Sequence, residues 1–275
     1  MEIISTVQEC RDLLNSAKGS IGLVPTMGAI HEGHIALLKT AKSQCDTVVA
    51  SIFVNPLQFN IREDYLSYPK NVSNDLKIMK EQKADIVFMP LDEEMYPPSF
   101  TTKVIVKNLS QRLEGVSRPG HLDGVATIVI KLLNICAPDF VYFGQKDAQQ
   151  LLMIKRMISD LNIRTELIYV DTVRSSDGLA LSSRNSNLNK LEKQSALGLF
   201  SALNTAYRMR VNGEYSAEKI KTAMKKDLTR HGAELDYISI CDPDSFNELD
   251  IVDKNAIALV AAHIGKTRLI DNMFI

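Results

Sequence analysis

The chain has 275 residues with 32 basic and 33 acidic side chains, which leaves a formal net charge of −1. A protein that coats nucleic acid usually carries a basic excess, so this balance disfavours sequence-independent binding to DNA or RNA. No segment approaches the roughly 20 apolar residues of a membrane helix, and the first residues lack the pattern of a signal peptide. The four cysteines form no CxxC pair, which favours reduced thiols in a cytoplasmic protein over disulfides.

Short apolar runs alternate with helical patterns from Ile21 to Val170. The predicted strands are 21–24, 47–54, 86–89, 140–143 and 167–170. The predicted helices are 32–44, 73–81, 124–136 and 148–161. Strands that are apolar on both faces and are separated by helices are typical of a parallel sheet covered on both sides. The sequence therefore predicts an α/β fold with a doubly wound, Rossmann-like parallel sheet.

The pattern changes after Val170. A polar, serine-containing loop over 171–187 is followed by amphipathic helices over 190–211 and 216–231. Three short strands then follow at 235–240, 256–262 and 267–270. We expect a domain boundary near residue 180, with a nucleotide-binding domain over 1–180. A smaller α+β domain over 181–275 would cover the site.

The segment Pro25–His34, with the sequence PTMGAIHEGH, lies between a predicted strand and a predicted helix. A helix start offers unpaired N–H groups and a positive dipole end, which suit the phosphates of a nucleotide. His31 and His34 have two other interpretations: histidines without a functional role, or zinc ligands. Zinc would need further ligands at metal spacing, and none is nearby. The strand, glycine turn and helix start together favour phosphate binding.

Two later segments also offer phosphate donors. Lys146, just after the strand predicted at 140–143, is either a phosphate clamp or a solvated charge, and its place after a buried strand favours the clamp. Ser182, Ser183 and Arg184 belong to a glycine-containing loop that can wrap a triphosphate, although serine-rich loops are common.

Two further segments have open interpretations. Gln58 follows the strand predicted at 47–54, and it suits either a small ligand or an ordinary strand exit. The glycines and proline of 115–121 predict a loop that could act as a lid, in which Arg118 either screens phosphates or is a surface charge.

Taken in order, several segments resemble the pantoate–β-alanine ligase (pantothenate synthetase) family. They are PTMGAIHEGH, FVNPLQFN, GVSRPGHLDGVATIVIKLLNICAPDFVYFGQKDAQQL, DGLALSSRN and IGKTRLIDN. This family belongs to the nucleotidylyl transferases with an HxGH motif, here His31–His34. The resemblance implies that ATP and (R)-pantoate form pantoyl adenylate with the help of Mg²⁺. The amine of β-alanine then releases AMP and pantothenate. It also implies a cytoplasmic homodimer that acts on small molecules, without nucleic acid or membrane partners.

The resemblance also implies roles for individual residues. His34 would be the proton or hydrogen-bond donor, and the other catalytic residues would be His31, Lys146 and Arg184. Gln58 and Gln150 would bind pantoate, with Gln58 also near β-alanine. Asp75 and Tyr68 match less secure positions near the metal and the second substrate. The implied ATP-binding residues are Met27, Gly28, Ala29, Ile30, His31, Glu32, Gly33, His34, Gly144, Gln145, Lys146, Asp147, Val173, Leu181, Ser182, Ser183 and Arg184.

Two rival functions are weighed against the ligase. Another HxGH adenylyltransferase acting on a small metabolite would leave the nucleotide on its product, and the segments around Gln58 and Gln150 favour the ligase over it. A nucleotide-sensing or tRNA-binding module without catalysis is disfavoured by the balanced charge and by the lack of a basic appended domain. Leu122 stands where the family often has phenylalanine, away from the expected chemistry.

Overall fold

The structure is a computed structural model that describes residues 1–275, and the chain divides into two compact units. The first contains Met1–Gln145 and Gln149–Asp171, and the second contains Lys146–Ala148 and Thr172–Ile275. The strands are β1 (Glu2–Ile4), β2 (Ile21–Thr26), β3 (Thr47–Ile52), β4 (Ile86–Phe88), β5 (Phe140–Gly144), β6 (Glu166–Val170), β7 (Glu234–Cys241), β8 (Ile257–Ile264) and β9 (Thr267–Phe274).

The helices are α1 (Val7–Ser16), α2 (Glu32–Gln44), α3 (Arg62–Ser67), α4 (Val72–Glu81), α5 (Asp92–Met95), α6 (Glu114–Ser117), α7 (His121–Cys136), α8 (Ala148–Asp160), α9 (Lys190–Val211) and α10 (Ala217–Arg230). None of them combines the length and the hydrophobicity that crossing a membrane would require.

The first unit is built on a six-stranded sheet with the order β1-β4-β3-β2-β5-β6, and every pairing in it is parallel. From β2 the chain runs outward through β3 and β4, and then it returns to place β5 on the other side of β2. The direction of winding therefore reverses between β2 and β5. Open α/β sheets bind ligands outside the carboxyl ends of the strands at such a switch point. The predicted doubly wound parallel sheet is confirmed.

One core of this unit lies between α2 and the sheet. Leu38 and Ala41 of α2 are fully buried against Val24 and Val48 of the two central strands. The helix is therefore anchored by its apolar face, and its first turn is left at the end of β2. This packing places the start of α2 at the switch point.

The second unit contains an antiparallel sheet with the order β7-β8-β9. The apolar faces of α9 and α10, including Leu203 and Met224, pack against β8 residues such as Val260. The predicted smaller α+β arrangement is confirmed. The strands are longer than the sequence predicted: β9 continues to Phe274 because its last residues still pair with β8, where Ile257 lies opposite Phe274.

The structure adds local detail to the sequence-based prediction in three places. The capping box formed by Thr6 and Glu9 starts α1, which was not predicted although the T-x-x-E pattern signals it. Segment 115–121 is not one open loop, because α6 ends at Ser117 and α7 already begins at His121. The polar loop over 171–187 contains a 3₁₀ turn at Ser183–Asn187.

Candidate active site

The turn after β2 requires a glycine at position 28. Thr26 Oγ1 donates to the Ser51 carbonyl oxygen at 2.7 Å and accepts from the Gly28 N–H at 3.1 Å. Gly28 then adopts φ +80° and Ala29 adopts φ +49°. A Cβ on Gly28 would stand 2.9 Å from Asp75 Oδ2, so both the conformation and the space exclude a larger residue.

The Asp75 side chain accepts hydrogen bonds from the backbone of this turn. It is 1% exposed on α4, and its Oδ2 accepts from the Ala29 N–H at 2.9 Å while its Oδ1 accepts from the Ile30 N–H at 2.8 Å. Both carboxylate oxygens therefore bind the backbone, which favours a positioning role over metal ligation. No three histidine, cysteine, aspartate or glutamate side chains are grouped as a metal site. The protein residues alone thus do not form a cage for Mg²⁺.

The two histidines cap α2 and also orient each other. His31 Nδ1 accepts from the Gly33 N–H at 3.1 Å, and His34 Nδ1 accepts from the His31 N–H at 3.3 Å. The ring centroids are 4.1 Å apart. A nitrogen that accepts from a backbone N–H carries no proton, so each neutral ring has its proton on Nε2. Both imidazoles therefore act as Nε2–H donors at the end of β2.

Gln58 lies beside the same turn, and a buried asparagine orients its amide. Asn55 Nδ2 donates to Gln58 Oε1 at 3.0 Å, and Asn55 Oδ1 accepts from the Tyr96 hydroxyl at 2.7 Å. Burial, and secondarily Asp92, raises the pKa of Tyr96, so its hydroxyl remains a donor. The oriented Gln58 Nε2 reaches Met27 Sδ at 3.0 Å. The structure thus brings together two residues that the sequence assigned to different substrates.

The first residue of α7 forms a hydrogen bond with the backbone of Gln58. Arg118 Nη1 and His121 Nε2 are 2.9 Å apart; arginine can only donate, so Nε2 accepts and Nδ1–H donates to the Gln58 carbonyl oxygen at 2.8 Å. A Cβ on Gly124 would overlap the Leu57 carbonyl, which explains the glycine there. Arg118 is only 14% exposed and also approaches Asp64, so it is not a free surface charge.

Of the adjacent glutamines 149 and 150, only the first is buried. Gln149 donates to the carbonyls of Leu109 and Arg112 at 2.7 and 2.8 Å and accepts from the Glu114 N–H at 3.1 Å. Gln150, which was assigned to pantoate by resemblance, is partly exposed on α8. Gln149 therefore anchors the start of α8, whereas Gln150 is partly accessible to solvent.

The remaining expected ligands have defined places within the two units. Gly144 ends β5, the neighbour of β2, and Gln145 follows it in the first unit. Tyr68 is buried and meets Phe59 edge to face at 5.8 Å. Ile30 is buried at the turn, whereas Glu32 is exposed in the first turn of α2.

The second unit contains the other expected phosphate donors. Lys146 is 17% exposed, and its Nζ lies 3.6 Å from Asp147 Oδ1. The Val173 carbonyl accepts from the Leu181 N–H at 2.9 Å, which closes the loop that leads to Ser182. Ser182 Oγ accepts from the Arg184 N–H at 3.3 Å and caps the 3₁₀ turn that contains Ser183 and Arg184.

Sequence reasoning missed Asn55 and His121 as functional positions. Both lie inside segments that carried the family resemblance, but neither stands in a pattern that announces a role. Their partners, Tyr96 and Gln58, are 41 and 63 positions away along the chain. The sequence shows only that these residues are polar. It does not show that they are buried, which is the property that distinguishes them.

Comparison with known proteins gives a consistent family. A family model described as Pantoate-beta-alanine ligase matches residues 2–274. Pantothenate synthetase from Thermosipho africanus is 47% identical over the full length of both chains. The crystal structure of pantothenate synthetase from Thermus thermophilus superposes with a TM-score of 0.95 at 41% identity, covering 99% of each chain. A pantoate-β-alanine ligase from Francisella tularensis, solved in complex with β-γ ATP and β-alanine, has a TM-score of 0.82 at 37% identity and covers 99% of this chain and 97% of its own.

Proposed function

Since the chain belongs to the pantoate–β-alanine ligase family, we propose that it condenses (R)-pantoate with β-alanine at the expense of ATP. The reaction proceeds in two steps. The pantoate carboxylate attacks the α-phosphorus of ATP and pyrophosphate leaves, which forms pantoyl adenylate. The β-alanine amine then attacks the acyl carbon, and AMP leaves as pantothenate forms.

The chemistry needs positioned donors more than a protein nucleophile. A carboxylate oxygen is a poor leaving group until it is bound to phosphorus, and charge builds up on the phosphate oxygens as pyrophosphate departs. Fixed donors directed at those oxygens stabilise the transition state without reorganising during the reaction.

The observation that supports this proposal most strongly is the tautomer of the histidine pair. Because Nδ1 of each ring accepts a cap hydrogen bond, Nε2–H is the donor group of His31 and of His34, and both rings lie at the winding reversal between β2 and β5. In the proposal these donors bind the phosphates of ATP next to the N–H groups of the first turn of α2. The oriented amide of Gln58, with Gln150, binds pantoate.

In this proposal the triphosphate also binds to Lys146, Ser182, Ser183 and Arg184. Lys146 and Arg184 neutralise the departing pyrophosphate, and the Gly144–Asp147 segment, Val173 and Leu181 hold the nucleotide through their backbone.

Magnesium enters this proposal with the nucleotide. Mg²⁺ keeps several waters and is commonly held by substrate phosphates with one or two protein oxygens, so a site without a protein cage suits it. From the family resemblance we also expect a cytoplasmic homodimer that works on small molecules.

Isotope exchange tests the proposal. Protein is incubated with ATP, Mg²⁺, pantoate and labelled pyrophosphate, without β-alanine. We expect pantoate-dependent incorporation of label into ATP, and AMP with pantothenate once β-alanine is added. Formation of ADP without exchange would contradict the adenylate route. A product that retains the nucleotide would instead identify an adenylyltransferase of the same superfamily.

A further inference from the structure

A buried ion pair links the last strand to the loop before Ser182. Arg174 Nη1 donates to Asp271 Oδ2 at 2.6 Å and Arg174 Nη2 donates to Asp271 Oδ1 at 2.9 Å, while Asp271 on β9 is 3% exposed. The same guanidinium donates to the Gly178 carbonyl at 3.1 Å and stacks over the Phe200 ring at 4.7 Å. The Arg174 guanidinium thereby contacts the backbone of the loop that begins at Val173.

The loop itself is closed around that arginine. Arg174 and Ala180 form an isolated antiparallel bridge, and the Ser175 N–H donates to the Leu179 carbonyl at 2.9 Å. Asn185 Nδ2 donates to the Ala180 carbonyl at 3.0 Å and extends the network into the 3₁₀ turn of Arg184. The bidentate contact to Asp271 therefore holds the loop that leads to the proposed phosphate donors.

The next residue of β9 reaches the other phosphate segment. Asn272 is 3% exposed, and its Nδ2 donates to the Lys146 carbonyl at 2.8 Å across 126 positions of the chain. Adjacent residues of a strand point to opposite faces, so Asp271 can hold the loop that contains Arg174 while Asn272 holds the segment that contains Lys146. One peptide bond joins Asp271 and Asn272, so the side chains that hold the two segments are adjacent in the chain.

We propose that Asp271 and Asn272 form a positioning clamp that sets the spacing between Lys146 and the Ser182–Arg184 turn. The clamp acts on adenylate formation, because the residues that it holds are those proposed to bind the triphosphate. This inference rests on the proposed function of Lys146 and Arg184. It gives a role to the IGKTRLIDN segment, which the sequence analysis used only for resemblance.

The desolvated carboxylate fits a positioning role. Burial raises the pKa of Asp271 despite the opposing effect of Arg174, so the strand keeps a costly charge at this position. A bidentate arginine–carboxylate contact fixes both the distance and the plane of the guanidinium. That precision is what a loop carrying phosphate donors requires, because displacement by about 1 Å can cost about 10²-fold in rate.

The test separates the two half-reactions in the full-length enzyme. Asp271→Asn preserves shape and removes the charge. We expect it to lower kcat/KM for ATP in pantoate-dependent pyrophosphate exchange by about 10- to 100-fold. With pantoyl adenylate supplied directly, the rate of amide formation from β-alanine should stay within about threefold of the unmodified protein.

A second ion pair on the same strand provides the matched control. Arg268 of β9 contacts Asp236 of β7 at 2.8 and 2.7 Å, and this pair is more exposed than the pair of Arg174 and Asp271. Asp236→Asn therefore also removes one carboxylate from an arginine in the second unit. Its exchange kinetics should match those of the unmodified protein.

Asn272→Ala keeps the ion pair and removes the donor to the Lys146 carbonyl, so it decides the matter if Asp271→Asn fails to fold. We expect it to raise KM for ATP in exchange and to leave aminolysis unchanged. Equal kinetics for Asp271→Asn and Asp236→Asn, or equal losses in both half-reactions, would overturn the clamp. Absence of exchange in the unmodified protein would instead refute the proposed function.

Discussion

Replacement of His34 by asparagine and by glutamine separates its two contacts. The Oδ1 of asparagine takes the place of Nδ1, which accepts from the His31 N–H at 3.3 Å. The asparagine variant therefore keeps the cap and lacks a donor at the Nε2 position. Glutamine brings its Nε2 donor close to that position, and its Oε1 can also accept from the His31 N–H, as a glutamine at this position of a capping box does.

The expected magnitudes differ between rate and stability. Loss of one donor to the developing charge costs about 2.7–4 kcal/mol of transition-state stabilisation, or about 10²–10³ in rate. Loss of a cap contact costs about 1 kcal/mol of unfolding free energy, and less for a bond as long as this one. His34→Asn should thus be slow, His34→Gln should be faster than His34→Asn, and both variants should keep the unfolding free energy of the unmodified protein.

Single-turnover formation of pantoyl adenylate and urea unfolding measure the two quantities. His34→Ala loses both contacts, so it should combine the slow rate of the asparagine variant with a lower unfolding free energy than either amide variant. A His34→Asn variant with the full rate of adenylate formation would show that the ring only caps the helix. The assignment of Nε2–H as a donor to ATP would then be wrong.

Three other perturbations have defined outcomes. Gly28→Ala should lower the unfolding free energy by about 1–2 kcal/mol because of its positive φ, and should reduce exchange; unchanged urea unfolding would contradict this. Tyr96→Phe removes the donor to Asn55, so KM for pantoate should rise several-fold in steady-state assays while KM for ATP stays the same. Hydrogen bonds from the Ser20 backbone and hydroxyl lower the pKa of Asp46, so this carboxylate stabilises the protein above its ordinary pKa of about 4. The difference between the urea midpoints of the unmodified protein and Asp46→Asn should disappear as pH falls through the lowered pKa, and a difference independent of pH would refute the assignment.

The site illustrates how much of a nucleotide-binding turn depends on residues outside its motif. Asp75 lies on α4, 46 and 45 positions from the N–H groups of Ala29 and Ile30 that it holds. The resemblance placed Asp75 near the metal, whereas its two oxygens face the backbone of the turn. Because the Asp75 carboxylate accepts from the N–H groups of Ala29 and Ile30, those two groups are already hydrogen-bonded within the protein. The histidines and the first turn of α2 then provide the donors for the ligand.

Local features of this protein could be predicted from its sequence. The alternation of apolar runs with helical patterns indicated the parallel sheet, and the bounds of α2 and α9 matched the predicted ones because caps and periodicity are properties of adjacent residues. The three-residue strand β1 was missed because so short a run has no detectable period. The order of motifs also sufficed to indicate the family.

Tertiary structure alone decided which side chains support the site. The tautomer of His121, the orientation of Asn55 by Tyr96 and the contacts of Asp271 and Asn272 each depend on a partner far away in the chain. Hydrogen bonds of this kind form where folding brings distant segments within about 3 Å, and no local pattern encodes that approach. Donor residues can therefore be found in the sequence, but the groups that aim them become visible only in the folded chain.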